Sequence, residues 1–221
     1  MTITTEVTIH SYCRTLDAMA KRMRDKGWFQ VKFPRFLTTI PRLIAFGINN
    51  GDVLEIGPGP GYLGLELLKS TSNTSLTGLD ISTDMIKIAK CNAAEYEFTG
   101  RARYHLGDAS NMPFRDGQFD CVFSNASLHE WDNPRQVLNE IARVLRPGGR
   151  YYIADLRRDM RKFLKWIVWF MAWPREVRPY FIASIKDSYT IGEVKDILCD
   201  TQLRKSKIHK IWNGLAVIGR K

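Results

Sequence analysis

Short apolar runs alternate with segments of helical periodicity through most of the chain. Short stretches rich in apolar or β-forming residues, at 53–56, 76–79, 102–106, 119–125 and 151–154, predict strands. Apolar residues three and four positions apart at 65–68, 85–89, 137–145 and 194–198 predict the intervening and following helices. Strands that alternate with helices at this spacing predict a parallel sheet with helices on both faces.

Capping signals place several element ends. Ser82 is expected to cap the helix at 85–89, Asn133 and Pro134 to open the helix at 137–145, and the Pro-Gly-Gly sequence at 147–149 to end it. A capping box is predicted at Thr190 and Glu193. Asn213-Gly214, between apolar runs, predicts a hairpin at the edge of the sheet.

The N-terminal 50 residues are basic and helical in pattern. Pro34 and Pro41 are expected to break this helical run into short pieces, because proline lacks the N–H that the helix interior needs. The segment therefore predicts several short helices ahead of the first strand.

A glycine-rich turn follows the first strand. Gly57, Gly59 and Gly61 alternate with other residues, and a helical pattern begins at once, so the sequence predicts strand, tight turn and helix. Such a turn lets a ligand approach the backbone N–H groups at the helix start. Tyr62 stands where a dinucleotide turn requires its third glycine, which disfavours NAD. Glu55, inside an apolar strand, is costly to bury unless a ligand donates to it.

Acidic residues close the next two strands. Asp80 is at the separation at which a strand-terminal acid binds ribose hydroxyls, since a vicinal diol offers two donors to one carboxylate. Asp108 is positioned to accept from an exocyclic amine such as that of adenine, and Gly107-Asp108 is also common turn chemistry. Both patterns predict a nucleoside ligand at one edge of the sheet.

Composition favours one domain. The 221 residues are 44% hydrophobic and no Pro, Gly or Ser-rich stretch divides them. The four cysteines have no paired spacing, so we expect reduced thiols in a cytoplasmic protein, with no metal site. No leader pattern opens the sequence, and the longest apolar run, 166–173, is shorter than the roughly 20 residues that span a bilayer. The net charge of +10 is compatible with a nucleic acid, an anionic surface, or only a solvated basic surface.

The order of these motifs resembles that of the class I S-adenosylmethionine (SAM)-dependent methyltransferases, in particular the ubiquinone and menaquinone biosynthesis branch and related small-molecule enzymes. The similarity covers residues 50–156 and rests on the E-x-G-x-G-x-G turn, Asp80, 107–109, the strand at 119–125 and the turn at 145–149. It implies a Rossmann-like, seven-stranded, mostly parallel sheet whose last strand is antiparallel. It also implies SAM as cofactor, S-adenosylhomocysteine as product, and a small-molecule methyl acceptor.

The resemblance also implies roles for individual residues. Glu55, Gly57, Gly59 and Gly61 would hold the methionine part of SAM, Asp80 its ribose, Asp108 and Ala109 its adenine, and Asn125 the amino-acid end through its backbone. Ile81, next to Asp80, is also expected to bind the cofactor. The domain would comprise an N-terminal helical cap (1–50), a SAM-binding core (51–156), an apolar and basic insertion (157–185) and a C-terminal helix and hairpin (186–221). In this family the N-terminal cap folds over the cleft; the alternative is a packing layer on the sheet.

His129 is the candidate base. It follows the fourth strand at the carboxyl edge, where open α/β sheets place ligands, and imidazole suits proton abstraction near neutrality. Methyl transfer is an in-line displacement, so positioning and water exclusion are the other requirements. The alternative for His129 is a hydrogen-bonded structural residue. Glu130 and Asp132 are expected to face solvent.

The segment 157–180 allows several interpretations. Basic residues precede the apolar run at 166–173, which is apolar around the whole helix. It could form a lid or wall of an apolar substrate pocket, a homodimer contact, a peripheral membrane contact, or ordinary core.

Two other functions are open at this point. A nucleic-acid methyltransferase would use the basic cluster at 204–210, but residues 125–128 lack the motif expected of enzymes that methylate flipped bases. A non-catalytic SAM-binding regulator would keep the cofactor site without an open acceptor pocket. Nucleic acid is the less favoured partner.

Overall fold

A seven-stranded sheet forms the centre of the computed structural model, which describes residues 34–171, 178–212 and 214–221. The strands are β1 (Gly51–Ile56), β2 (Thr74–Asp80), β3 (Ala102–Leu106), β4 (Phe119–Asn125), β5 (Leu145–Asp155), β6 (Lys207–Ile211) and β7 (Gly214–Arg220). The helices are α1 (Pro34–Ala45), α2 (Tyr62–Lys69), α3 (Thr83–Glu95), α4 (Pro134–Val144), α5 (Lys162–Met171), α6 (Arg178–Asp187) and α7 (Ile191–Cys199).

The strand order confirms the predicted Rossmann-like sheet. It runs β3-β2-β1-β4-β5-β7-β6, with parallel pairing from β3 to β5 and with β7 antiparallel to both neighbours. The chain reverses its direction of growth between β1 and β4. The carboxyl ends of these two strands therefore border a topological switch point, where open α/β sheets bind ligands.

Helices cover both faces of the sheet, as predicted. Val53 of β1 packs with side chains of α1, α2 and α3 on one face, whereas Leu54 and Ile56 pack with α4 and α7 on the other. Alternate strand residues point to opposite faces, so a strand that is apolar at successive positions is buried on both sides. This double burial fixes the register of β1 and hence the position of the turn that follows it.

The predicted helix caps are present. Ser82 accepts a hydrogen bond from the Met85 N–H, and Asn133 caps α4 with Pro134 in the first helical position. Thr190 and Glu193 form the predicted capping box at the start of α7, with bonds of 3.2 Å and 2.7 Å. These caps satisfy N–H groups that have no partner within the helix.

The prediction that Pro41 breaks the helix is wrong. Pro41 lies inside α1, which continues through it from Pro34 to Ala45. Leu43 is fully buried against the sheet, with Ile40 and Ile44 packed around it. Tertiary packing of this apolar face outweighs the one backbone hydrogen bond that proline removes. Residues 1–33 of the predicted N-terminal cap lie outside the described residues.

The Pro-Gly-Gly sequence does not end α4 as predicted. The helix ends at Val144, and β5 begins at Leu145 and includes residues 147–149. Gly148 donates to the Lys221 carbonyl and Lys221 donates to the Gly149 carbonyl, both at 2.9 Å. Pairing with the end of the chain thus draws these residues into the sheet, next to a register shift in the β4–β5 pairing between Phe119 and Cys121.

The predicted hairpin forms the sheet edge. Strands β6 and β7 are antiparallel, with Ile211 opposite Gly214, and β6 is the last strand of the sheet. Asn213, part of the predicted turn, lies outside the described residues.

The segment after β5 departs from ordinary core packing. Phe163, Trp166 and Phe170 of α5 are exposed, so the core interpretation is wrong for this part of the 157–180 segment. Residues 172–177 lie outside the described residues. Among the helices described, none is both long and apolar enough to cross a membrane.

Candidate active site

The turn between β1 and α2 presents bare backbone at the carboxyl edge of the sheet. Gly57, Gly59 and Gly61 have φ values of 65°, 54° and 82°, in the left-handed region that favours glycine. A Cβ on Gly57 would lie 2.7 Å from Ser127, and one on Gly61 would lie 2.6 Å from the Tyr104 hydroxyl. Nothing lies within 4 Å of a Cβ built on Gly59. Packing therefore requires two of the glycines, and Gly59 leaves space for a ligand to reach the backbone.

Asp80, at the end of β2, lies beside this turn. Its Oδ2 accepts a hydrogen bond from the Gly59 N–H at 3.0 Å, and its Oδ1 accepts from the Ser82 N–H at 2.9 Å. Partial burial raises the pKa of Asp80, although these N–H groups act in the opposite direction. The neighbouring Ile81 side chain is 75% exposed. Together they offer a carboxylate for hydroxyl groups and an apolar surface beside it.

Glu55 lies beneath the turn. Its side chain is 2% exposed, and neither its Oε2 nor the Tyr104 hydroxyl has a hydrogen-bond partner among the described residues. Burial, followed by the negative charge of Asp80, raises the pKa of Glu55 to about 8. A Cβ on Gly64 would lie 2.3 Å from Oε2, so the carboxyl group is covered by the first turn of α2. Burial thus keeps Glu55 mainly protonated at neutral pH, and the backbone N–H of Gly64 acts on its pKa in the opposite direction.

Asp108 and Ala109 follow β3 on the same edge. The Asp108 carboxylate is exposed and accepts from the Ser110 N–H and hydroxyl, both at 2.7 Å, which lowers the pKa of Asp108. Ala109 is half-buried and packs against the core below the edge. These bonds are those of an Asp-centred turn, the alternative that the Gly107-Asp108 sequence left open. The backbone of 108–109 lies at the carboxyl edge of the sheet.

Asn125 ends β4, the strand beside β1. The chain turns sharply after it: Ala126 has a φ of 63°, unusual for a residue with a side chain, and its N–H donates to the Ala154 carbonyl at 2.8 Å. The Ser127 hydroxyl, 2.7 Å from that of Ser124, accepts from the Trp131 indole N–H at 3.2 Å. These contacts fix the loop that carries Asn125 and His129.

His129 forms a side-chain pair with Asp155, the last residue of β5. The Nδ1 atom lies 2.9 Å from Asp155 Oδ2 and 3.1 Å from Oδ1, and the His129 backbone N–H donates to Oδ2 at 2.9 Å. The two side chains are 6% and 2% exposed. A carboxylate beside Nδ1 favours the tautomer with the proton on that atom, so Nε2 carries the lone pair. Nε2 is 3.9 Å from the carboxylate of Glu130, which is exposed as expected.

Sequence reasoning missed Asp155 as a functional candidate. Asp155 closes a strand, as Asp80 does, and that signal was available in the sequence. Its partnership with His129 was not, because it joins residues 26 positions apart. Tyr104, under the glycine turn, was also missed, since its position depends on how β3 packs against α3.

An apolar cleft lies between α5 and α6. It encloses about 480 Å³ and is lined by residues of α5 and α6 with basic side chains at its margin: Arg158, Lys165, Trp166, Trp169, Ile182, Ile185 and Lys186. Helix α6 packs against the short turn Leu128–Glu130 that carries His129. The residues that line the cleft do not include His129 or Asp155, and the contact of α6 with the turn is what connects the cleft to the pair.

Metal ligation has no support in the part of the chain that is described. There, no group of three or more His, Cys, Asp or Glu side chains is placed to hold an ion.

Comparison with known proteins points to one kind of domain. Residues 54–153 match the family described as a methyltransferase domain. The chain is 29% identical over 155 residues to the ubiquinone/menaquinone biosynthesis C-methyltransferase of Geotalea daltonii, covering 61% of this chain and 66% of that protein. It is 35% identical over 107 residues to an O-methyltransferase of Aspergillus sclerotiorum, covering 48% of this chain and 40% of that protein. The chain thus spans less than two thirds of the length of these relatives.

A solved structure resembles the whole fold. It is described as a SAM-dependent methyltransferase from Methanococcus maripaludis, and it aligns over 93% of this chain and 90% of its own, with a TM-score of 0.73 and 24% identity. At this identity the likeness concerns the fold alone.

Proposed function

We propose that this chain, whose residues 54–153 match the methyltransferase domain family, is a class I SAM-dependent methyltransferase that catalyses in-line methyl transfer to oxygen, nitrogen or carbon of a small apolar or aromatic molecule. One observation carries the proposal. The glycine turn beside Asp80 and the His129–Asp155 pair lie at the same carboxyl edge, on the two sides of the β1/β4 switch point. Cofactor and acceptor can therefore meet at this point.

The described residues fit SAM. The open direction above Gly59, the partly buried carboxylate of Asp80 and the exposed Ile81 would receive the ribose and its neighbours. We assign the methionine part to the glycine turn with Glu55 below it, and the adenine to Asp108 and Ala109. The backbone of Asn125 would hold the amino-acid end. When bound, SAM supplies a methyl group on a positively charged sulfur, which suits an edge carrying several carboxyl groups.

His129 is assigned as the general base. Its Nε2 would accept the proton of the acceptor while Asp155, held by the Leu156 N–H at 2.6 Å, orients the ring and stabilises the imidazolium. Burial of the pair excludes water from this proton transfer. Asp155 is therefore a positioning residue that acts through His129.

The cleft between α5 and α6 is assigned to the acceptor. Two tryptophans and two isoleucines line it, and α6 contacts the turn that carries His129. Aromatic and aliphatic walls favour an apolar or aromatic ring system. The names of the relatives, a quinone-pathway C-methyltransferase and an O-methyltransferase, agree with that class of acceptor.

The nucleic-acid alternative has weaker support from the geometry. The basic residues at 204–210 are exposed but lie on and before β6, the far edge of the sheet. Four strand spacings separate β6 from β1, roughly 19 Å. The basic cluster is thus distant from the glycine turn, and only Lys210 comes within two strand spacings of Asp155. The small-molecule acceptor remains our proposal.

A direct assay tests the function. The protein is incubated with SAM and a panel of hydroxylated quinones, phenols and aromatic amines, and methylated products are identified by mass spectrometry, while calorimetry measures S-adenosylhomocysteine binding. We expect binding together with methylation of at least one apolar acceptor. Binding without any turnover would favour the non-catalytic regulator, and absence of binding would contradict the cofactor assignment.

A further inference from the structure

Helix α5 carries an exposed aromatic face, formed by Phe163, Trp166 and Phe170. These side chains are 67%, 57% and 64% exposed, and their spacing of three and four residues places them on one side of the helix. The rings of Trp166 and Phe170 stack, with centroids 5.7 Å apart and planes 20° apart. Across the cleft, Ile182 of α6 is 53% exposed. Exposed apolar side chains concentrated in this way mark an interaction surface.

Basic residues surround the aromatic face. Arg161 and Lys162 are exposed at the start of α5, Lys165 and Lys186 border the cleft, and α5 itself contains no acidic residue. The nearest preceding acid, Asp159, is 3.4 Å from the buried Arg157. The surface around the aromatic face is therefore positively charged.

This combination favours a partner that is both apolar and anionic. Tryptophan and phenylalanine beside lysine and arginine suit the headgroup region of a bilayer. A second copy of this chain suits the surface less well, because two such faces would bring their basic residues together. The ten residues of α5 are about 15 Å long, so the helix can lie in the interface plane but not span it.

We propose that the aromatic face of α5 docks the protein on an anionic membrane surface. Phe163 and Trp166 would insert at the level of the headgroups, and Arg161 and Lys162 would lie near the lipid phosphates. The cleft between α5 and α6 would then open close to the membrane. Docking is independent of methyl transfer and can be tested without it.

Vesicle sedimentation of the full chain tests the aromatic contribution. Phosphatidylcholine vesicles with and without phosphatidylglycerol are compared for the wild type, Phe163→Ser, Trp166→Ser and Trp212→Ser. Trp212, 38% exposed after β6, is the matched control. We expect binding only with the anionic lipid, weakened about tenfold by Phe163→Ser or Trp166→Ser and unchanged by Trp212→Ser. Circular dichroism and thermal melting establish that each variant is folded.

Charge reversal tests the basic contribution. Lys162→Glu is compared with Lys195→Glu, an exposed position on α7. We expect Lys162→Glu to weaken binding at least about fivefold and Lys195→Glu much less, and added salt to weaken wild-type binding, because the attraction of a lysine to an anionic leaflet is local and screened.

Three results would overturn the proposal. The first is equal binding to neutral and anionic vesicles. The second is a loss on Trp212→Ser as large as that on Trp166→Ser. The third is a Trp166→Ser variant that binds vesicles normally but changes from dimer to monomer in analytical ultracentrifugation, which would assign the face to a second copy of the chain.

Discussion

The carboxyl edge of the sheet has two halves that hold their polar groups differently. In the half formed by β1, β2 and β3, Asp80 is held by backbone N–H groups of the glycine turn and of Ser82. In the half formed by β4 and β5, Asp155 accepts from the backbone N–H groups of His129 and Leu156 and, in addition, pairs with the His129 imidazole. The first half is a backbone cradle and the second adds a side-chain pair. We therefore expect substitutions in the first to change cofactor affinity or stability, and substitutions in the second to change turnover.

The largest expected effect is on stability, at Glu55. Its pKa of about 8 in the folded protein lies above its ordinary value of 4.5, so the folded state binds the proton more tightly. The contribution of Glu55 is fully favourable below about pH 4.5 and is lost as the pH rises through 8, by roughly 5 kcal/mol. In urea unfolding without SAM, Glu55→Gln should match the wild type near pH 4.5 and exceed it at pH 8. Parallel pH dependence of the two proteins would contradict the burial argument.

His129→Ala probes the opposite half. Loss of a positioned base should lower turnover about a thousandfold, because the acceptor proton then has no partner in the displacement. Calorimetry should show S-adenosylhomocysteine affinity within about twofold of the wild type, since the cofactor cradle does not use the imidazole. His209→Ala, on the exposed edge strand β6, is the control. Equal losses of turnover and affinity would make His129 a structural residue.

Asp155→Asn should lower turnover less than His129→Ala does. The amide keeps the size of the carboxyl group but not its charge, so the imidazolium loses its stabilising partner and turnover should fall roughly a hundredfold. The acid limb of the pH–rate profile should move to lower pH, which a purely structural role would not cause. An unchanged profile with a reduced melting temperature would show that Asp155 only supports the loop at 126–131.

The two halves also differ in how well the sequence predicted them. The strands, the glycine turn and the acid that closes β2 follow from local patterns, since a strand end and a turn need only a few neighbouring residues. The cradle was therefore predictable down to Asp80. The Ser82 and Thr190 caps were predictable for the same reason.

Other features depend on contacts between distant segments. The His129–Asp155 pair needs the register of β4 against β5, which the sequence does not specify locally. Pro41 lies in a helix whose apolar face packs into the core beside α2, and residues 147–149 join β5, where they pair with Lys221. The exposure of α5 was unpredictable from its composition, because a helix apolar all round is usually buried.

Asp80→Ala tests the half of the edge that contains the glycine turn, and its expected effect is the smallest of the four. The backbone N–H groups of Gly59 and Ser82 already position the Asp80 carboxylate. Its removal therefore deletes a preformed hydrogen-bond acceptor for the ribose hydroxyls, and the affinity for S-adenosylhomocysteine should fall about 50-fold. The matched control is Asp196→Ala on the exposed face of α7. If affinity falls while circular dichroism shows an unchanged fold, the Asp80 side chain is needed for ligand binding and not for the structure of the glycine turn. Unchanged affinity would remove the ribose assignment and leave the two halves of the edge without the functional difference inferred from their geometry.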